Sequence, residues 1–183
     1  MDYYTISDDN TYPDRWYLGD IDVDEEWIFA MGQTVNENEY KNLTVEIDEE
    51  GIPLDFTETD GRMVPVVSES FAECLYEYMN EVQLLPVVVP KRTDNYYILV
   101  IRNAVDCVDE SGSDFEKFEE GNDIRPDRVG DYEVINILKI DTSRVHNHIF
   151  RIAKYHVLAV VSGELKMKLE KAGLKGLKFE LVS

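Results

Sequence analysis

The chain has few of the residues that build metal centres, disulfide frameworks and membrane spans. Its 183 residues include only two cysteines, Cys74 and Cys107, and three histidines, at His146, His148 and His156. Two cysteines do not make a disulfide-rich scaffold, so we expect both thiols to be reduced and half-buried. No run of about 18 apolar residues occurs, which excludes a membrane-spanning helix.

A secretory signal is also missing from the beginning of the sequence. The chain starts M-D-Y-Y, with no basic segment followed by an apolar one. We therefore expect the protein to stay in the cytoplasm. With 44% hydrophobic residues and eleven tyrosines, the composition is typical of a folded chain rather than a disordered one.

Basic residues are scarce in the first third, and the charge of the chain is correspondingly one-sided. Lys and Arg number 18 against 38 Asp and Glu, for a net charge of −20. Residues 1–60 hold 2 basic and 18 acidic side chains, whereas residues 139–183 hold 9 and 4. Such a field repels nucleic acid and anionic lipid and accelerates encounter with a basic partner. The same charge is also compatible with an acidic surface that only maintains solubility.

The segment 148–179 predicts a strand, a helix and a second strand with recognisable boundaries. Residues 157–161 form an unbroken apolar run, as expected of a strand covered on both faces. Ser162 is placed to cap the helix that follows, because its hydroxyl can accept a free backbone N–H at the helix start. Within this helix Glu164 and Lys168 have the spacing of a favourable ion pair.

A shorter version of the same arrangement occurs at Val66–Leu75. Each copy has two valines, a serine (Ser68 or Ser162), an apolar residue three positions on, and a leucine four beyond it. We therefore predict two amphipathic helices, each entered directly from a strand through a capping serine. The predicted apolar face of the first helix comprises Phe71, Leu75, Tyr78, Met79 and Val82.

The predicted strands are adjacent in sequence rather than alternating with helices. Asp2–Ile6 is expected to be an edge strand, and Leu43–Ile47 alternates as a half-buried one. Leu84–Val89 and Tyr96–Ile101 are separated by a hairpin-length turn, and Tyr132–Ile140 is strongly apolar. This order predicts an α+β fold with a mostly antiparallel or mixed sheet rather than a doubly wound one.

A polar connection at 57–61 is the best candidate for a boundary in the chain. It separates an acidic N-terminal region, residues 1–60, from an α+β domain at residues 61–183, on which the first region is able to pack. The segment Asp109–Asp127 carries eight acidic residues and reads as an exposed insertion or long loop.

Few residue groups suggest catalysis or a cofactor. Asp106, Asp109 and Glu110 have the chemistry of a magnesium site, but three carboxylates within five positions are expected by chance in so acidic a chain. His146 and His148 would share a strand face, yet no further Cys or His cluster completes a zinc site. Neither a nucleophile with its base nor a glycine-rich phosphate loop is evident. We predict no catalytic residue, no metal and no cofactor.

Two tryptophans lie among the carboxylates of the N-terminal region. Large aromatic side chains serve either as core anchors or as centres of binding surfaces. For Trp27 the core is favoured. For Trp16 the two interpretations are evenly balanced, and we include it in a candidate partner-binding surface.

Three segments together resemble a known family. They are P-V-V-S-E-S-F at 65–71, Y-Y-I-L-V-I-R-N-A-V-D-C-V-D at 96–109, and H-I-F-R-I followed by V-V-S-G-E-L-K-M-K-L-E-K-A-G-L-K-G-L-K-F within 148–179. This order resembles the eleventh-numbered family of immunity proteins from bacterial polymorphic toxin systems, over about residues 60–183. The resemblance implies a cytoplasmic protein that binds a secreted toxin domain, often a nuclease, and blocks it. These motifs build the fold and assign no catalytic residue.

Charge and resemblance together predict a non-enzymatic inhibitor that occludes a toxin domain with an acidic surface. The candidate contact residues are Trp16, Asp22, Asp24, Glu25, Glu26, Asp109, Glu110, Asp114, Glu116, Glu119 and Glu120. The partner is a cognate toxin domain or another basic protein, with no role for nucleic acid or membrane. The alternatives are an acidic protein–protein interaction module unrelated to toxins and, less favoured, a metal-dependent enzyme. The oligomeric state is left open.

Overall fold

The computed structural model describes residues 1–60 and 63–183, in which strands predominate over helices. The strands are β1 (Tyr3–Asp8), β2 (Tyr17–Ile21), β3 (Leu43–Glu49), β4 (Phe56–Glu58), β5 (Pro65–Ser68), β6 (Val82–Val88), β7 (Tyr96–Ile101), β8 (Ala104–Val105), β9 (Asp114–Lys117), β10 (Tyr132–Ile137), β11 (Ile149–Ile152), β12 (Tyr155–Ser162) and β13 (Leu177–Leu181). The α-helices are α1 (Glu69–Cys74) and α2 (Gly163–Lys171), and short 3₁₀ helices occur at Glu26–Ala30, Tyr76–Tyr78, Pro126–Arg128 and Thr142–Arg144. The predicted α+β class is confirmed.

The strands form two large sheets and one hairpin. A six-stranded sheet has the order β2-β3-β6-β7-β5-β4, and a five-stranded sheet has the order β13-β1-β12-β11-β8. Most neighbours are antiparallel, but β3 runs parallel to β6 and β8 runs parallel to β11. Both sheets are therefore mixed, and β9 with β10 makes a separate two-stranded hairpin.

The first strand lies inside the five-stranded sheet rather than at its edge. β1 pairs with β12 on one side and with β13 on the other, both antiparallel. The expectation of an edge strand at Asp2–Ile6 is therefore wrong, because the pairing partners lie more than 150 positions away and leave no local trace. Residues 1–60 also supply β2, β3 and β4 to the six-stranded sheet. Gly61, the last residue of the predicted polar connection, lies outside the described residues.

Strand alternation produces three layers of buried side chains. In β7, Ile98 and Val100 pack in one apolar cluster with Trp16, whereas Leu99 and Ile101 pack in a second cluster on the opposite face. That second cluster includes both α-helices and one face of the five-stranded sheet. The other face of the five-stranded sheet packs against the β9–β10 hairpin in a third cluster. The period of two along each strand thus assigns neighbouring residues to different layers.

Both predicted serine caps are present. Ser68 Oγ accepts the backbone N–H of Phe71, and Ser162 Oγ accepts that of Leu165, each at 3.2 Å. The helix α2 spans only nine residues, which is too short to be stable alone. It is held by Leu165 and Leu169, whose side chains are fully buried.

The first helix is shorter than predicted. α1 ends at Cys74, the chain tightens into a 3₁₀ turn at Tyr76–Tyr78, and Val82 already belongs to β6. The helical spacing of apolar residues continues to Val82 in the sequence. Val82 nevertheless pairs with Ile101 in the sheet, and this long-range contact overrides the local periodicity.

The predicted ion pair within α2 is also replaced by contacts between elements. Lys168 pairs with Glu77 beside α1 rather than with Glu164 one turn before it. Glu164 instead accepts a hydrogen bond from the hydroxyl of Tyr78 at 3.3 Å. These contacts fasten the 3₁₀ helix Tyr76–Tyr78, which follows α1, to α2.

Two further expectations concern thiols and membranes. Cys74 and Cys107 are free thiols, and both are buried rather than half-exposed. Burial raises the pKa of Cys107 to about 12, with the charge of Asp106 as a smaller cause, so its thiolate is strongly disfavoured at neutral pH. Among the helices of residues 1–60 and 63–183, none is long and apolar enough to cross a membrane.

Candidate partner-binding surface

The 3₁₀ helix Glu26–Ala30 presents one aromatic residue to solvent and buries another. With three residues per turn, Glu26 and Phe29 fall on the same face and point inward. Phe29 is fully buried and meets Tyr40 edge-to-face at 4.9 Å between ring centroids. Trp27 lies on the opposite face and is 45% exposed. The prediction that Trp27 belongs to the core is therefore wrong.

Trp16 and Glu26 were both expected on the binding surface, and both are buried. The indole N–H of Trp16 donates to Thr57 Oγ1 at 2.7 Å, and its ring packs against Tyr96. Glu26 accepts the backbone N–H of Ile21 at 2.8 Å, which ties the 3₁₀ helix to β2. A buried indole or carboxylate needs such a partner, and the partners were supplied by tertiary contacts. Neither side chain is available to a partner protein.

The other three N-terminal candidates are exposed. Asp22, Asp24 and Glu25 lie between the end of β2 and the 3₁₀ helix, and all three side chains face solvent. They lie within five positions before Trp27 in the chain, from which the buried Glu26 separates them. An exposed tryptophan is thus bordered by carboxylates on its N-terminal side.

The remaining candidates lie on a projecting segment that we call the acidic arm, residues 109–137, which contains β9 and β10. Along β9 the side chains alternate, so Asp114 and Glu116 are exposed while Phe115 is partly buried. Phe115 meets Tyr132 edge-to-face at 5.2 Å, which attaches the arm to the third apolar cluster. Glu119 and Glu120 follow in the loop and are exposed.

Glu110 and Asp109 begin the arm and are occupied by local hydrogen bonds. Glu110 Oε1 lies 2.6 Å from Lys117 Nζ and accepts the hydroxyl of Tyr132 at 2.8 Å. The bonds from Lys117 and then Tyr132 lower the pKa of the Glu110 carboxyl. Asp109 accepts both the backbone N–H and the hydroxyl of Ser111, at 3.0 and 2.6 Å, and these bonds lower its pKa. Both carboxylates therefore shape the base of the arm.

Four glutamates of the arm lie around one concavity. They line a shallow concavity of about 420 Å³ together with Lys117, and they are Glu116, Glu119, Glu120 and Glu133. Glu133 was not among the sequence-predicted residues. It joins the group because β10 pairs antiparallel with β9, a register that the sequence alone did not specify.

The magnesium hypothesis for Asp106, Asp109 and Glu110 gains no geometric support. Within residues 1–60 and 63–183, no three His, Cys, Asp or Glu side chains are arranged to hold a metal ion. Asp106 lies 3.9 Å from the amine of Lys154, and the other two carboxylates have the partners just described. Of the histidines, His148 shares a 2.9 Å hydrogen bond with Ser162 through Nδ1.

Residues of the 3₁₀ helix and of the acidic arm line one open groove of about 610 Å³, which we call the Trp27 groove. Its apolar lining includes Trp27, Met31, Met63 and Val157, and its polar lining comes from His156 and the loop 125–131. The sequence did not predict this groove because the 3₁₀ helix and the loop 125–131 lie about 100 positions apart.

A buried arginine fixes the backbone of the Trp27 groove. Arg151 is fully buried, and its Nη1 donates to the carbonyl oxygens of His156 and Val157 at 2.8 and 3.2 Å. Its Nη2 lies 3.4 Å from the carbonyl oxygen of Met63. Burial lowers the pKa of Arg151 to about 10, which leaves the guanidinium charged at neutral pH. One side chain therefore holds three groove residues in place.

The charges inside the groove are largely cancelled. Arg125 lies 2.9 Å from Asp127, and Arg128 lies 3.4 Å from Asp131. Burial, followed by the charges of Arg151 and Arg128, lowers the pKa of His156, so its ring is neutral at pH 7. The groove combines exposed apolar side chains with paired charges.

Comparison with known proteins assigns the class of this molecule. Residues 70–183, which include α2, all but the first residue of α1, and the acidic arm, match the model of an immunity protein family. The match covers more than half of the chain, and the chain belongs to this family, Imm11. No curated protein matches the chain.

Proposed function

We propose that this protein binds a cognate secreted toxin domain and neutralises it by occlusion through an acidic surface. Membership of the Imm11 immunity protein family carries this proposal. Blocking a toxin by binding needs a complementary surface but no catalytic group. We therefore propose that the protein is an inhibitor rather than an enzyme, and that it acts in the cytoplasm.

The proposed surface comprises two exposed acidic groups. The first group is Asp22, Asp24 and Glu25, which precede Trp27 in the chain, and the second group is supplied by the acidic arm. The contributing residues of the arm are Asp114, Glu116, Glu119, Glu120 and Glu133, with Asp109 and Glu110 supporting its base. Trp16 and Glu26 are not part of the proposed surface because they are buried.

Charge supports a basic toxin domain as the partner, and nucleases are the toxin class that we favour. A nuclease binds a polyanion and commonly presents basic side chains around its substrate site. A protein of net charge −20 attracts such a surface over long range and competes with the nucleic acid for it.

Co-expression tests the proposed function directly. Bacteria that produce the toxin domain encoded beside this chain should survive when the chain is co-produced, and die when it is replaced by an unrelated protein of similar net charge. The purified pair should also co-elute on size exclusion. Failure to protect against every adjacent toxin domain rejects the proposal. A stable complex that gives no protection instead supports an acidic interaction module unrelated to neutralisation.

A further inference from the structure

The Trp27 groove concentrates exposed apolar surface in a concave place. Trp27, Met63 and Val157 are 45%, 44% and 42% exposed, and they line the same groove. Single exposed apolar residues are ordinary on protein surfaces, but a cluster that includes a tryptophan in a recess is typical of an interaction site. Tryptophan is also among the residues that most often dominate the energy of protein–protein binding.

The groove is held by core packing on the 3₁₀ helix and by hydrogen bonds to its backbone. Phe29 anchors the 3₁₀ helix from below by packing in the core against Tyr40. Arg151 holds the backbone at Met63, His156 and Val157, which also line the groove. A preorganised site binds more tightly because less conformational entropy is lost on association.

Electrostatics selects the kind of segment that this groove accepts. Arg125 and Arg128 are paired with Asp127 and Asp131, and His156 is neutral, so the groove itself presents no unpaired positive charge from these residues. The exposed carboxylates of Asp24 and Glu25, which we call the acidic rim, lie three and two positions before Trp27 in the chain. A cationic segment is attracted to this rim, whereas an acidic segment is repelled.

We propose that the Trp27 groove docks a basic segment of the toxin domain, with one apolar side chain of that segment seated against the Trp27 ring. This inference rests on the proposed function and adds the location and chemistry of the contact. The apolar side chain displaces water from the exposed indole, and flanking lysine or arginine side chains meet the acidic rim. Affinity then comes from the buried apolar contact, and the rate of encounter from the charges.

Tryptophan fluorescence provides a direct test because the chain has two tryptophans and only one is accessible. Trp16 is fully buried, so acrylamide quenches Trp27 selectively in the free protein. Adding the purified toxin domain encoded beside this chain should lower the quenching constant of Trp27 several-fold. Repeating the titration with Trp27→Phe gives the fluorescence of any tryptophan in the toxin domain, and this signal is then subtracted.

Binding measurements with matched variants test the energetic role of the indole. Trp27→Ala should raise the Kd about tenfold or more, as expected for a central aromatic contact. Tyr76→Ala serves as the control, because Tyr76 is 67% exposed and lies outside the groove, and it should leave the Kd unchanged. Urea unfolding of both variants establishes that the fold is retained.

Each outcome has a defined meaning. A complex in which Trp27 remains fully quenchable, or in which both alanine variants bind equally well, overturns the docking inference and leaves the proposed function standing. Absence of any complex overturns the proposed function and this inference with it. A Kd that stays constant between about 0.05 and 0.5 M salt, despite protection of Trp27, overturns the basic character of the docked segment.

Discussion

Arg15 and Asp8 form a two-pronged ion pair in the interior of the protein. Both nitrogen–oxygen distances are 2.6 Å, and the two side chains are 2% and 7% exposed. Arg15 Nε also donates to the carbonyl of Trp16, and Asp8 Oδ2 accepts the backbone N–H of Glu58. The pair therefore connects β1, the segment before β2, and β4.

Removing one member of this pair should strongly destabilise the fold. Asp8→Asn leaves the Arg15 charge buried without its carboxylate, and we expect the free energy of unfolding to fall by about 3 kcal/mol or more in urea titrations. The control is Glu50→Gln, which disrupts the solvent-exposed carboxylate's pairs with Lys91 and Arg92 and should destabilise the protein far less. Equal losses in the two variants would contradict this account.

Glu58 should make stability fall as the pH rises from about 4.5 to about 7. Burial raises the pKa of its carboxyl from 4.5 to about 7, while the charge of Arg151 opposes the shift. The folded state thus holds this proton more tightly than the unfolded chain, and the stabilisation is complete below pH 4.5 and lost through pH 7. Glu58→Gln should therefore be more stable than the wild type at pH 8, by up to about 3 kcal/mol.

The measurement is urea unfolding of both proteins at pH 5 and pH 8. The difference in unfolding free energy between variant and wild type should be larger at pH 8 than at pH 5. Comparing differences cancels the titration of the other carboxylates. A difference that does not change with pH would show that Glu58 titrates normally in the folded protein.

Two glycines after α2 should respond differently to alanine. Gly173 and Gly176 both have positive φ, +69° and +88°, so each alanine is strained by about 1 kcal/mol. Around Gly173 a Cβ atom would meet nothing within 4 Å, whereas at Gly176 it would clash with the carbonyl oxygen of Phe56. Gly176→Ala should consequently unfold at a clearly lower urea concentration than Gly173→Ala. Similar midpoints for the two variants would rule out a role for this close approach.

The helix cap at Ser162 should stabilise the protein more than an isolated helix cap does. Ser162 Oγ accepts the N–H of Leu165 and also shares a hydrogen bond with His148. Ser162→Ala removes both hydrogen bonds at a fully buried position. We expect the free energy of unfolding to fall by about 2 kcal/mol in thermal or urea unfolding. Ser162→Thr, which keeps the hydroxyl, is the conservative comparison and should retain more of the stability than alanine.

Neutralising charges on the acidic arm should slow association with the toxin domain. Glu119→Gln with Glu120→Gln removes two exposed charges from the proposed surface, and the association rate should fall roughly threefold or more at low salt, with little change in dissociation. Glu170→Gln with Glu180→Gln removes the same charge from outside that surface. Stopped-flow kinetics should show slower association for the first double variant than for the second. Equal slowing in both would indicate that the association rate depends only on net charge.

The two tryptophans illustrate how far local reasoning reaches at the candidate site. The aromatic and acidic character of the segments around both tryptophans was evident from the sequence, but which of the two rings faces solvent was not. Trp16 is buried because Thr57, 41 positions away, accepts its indole N–H. Trp27 is exposed because Phe29 takes the inward position of the same short helix. The first contact joins residues 41 positions apart, and the second outcome depends on which face of the short helix meets the core.

The sequence by itself determined the features that depend on near neighbours. Ser68 and Ser162 marked the helix starts, and the alternating strands and the hairpin of β6 and β7 were evident, because caps, turns and side-chain periodicity act over a few residues. Only the tertiary structure decided that β1 lies inside a sheet, that Arg151 holds the backbone of the groove, and that Glu133 lies beside the other glutamates of the acidic arm. Those arrangements depend on contacts between distant segments, where burial and hydrogen bonding outweigh local preference.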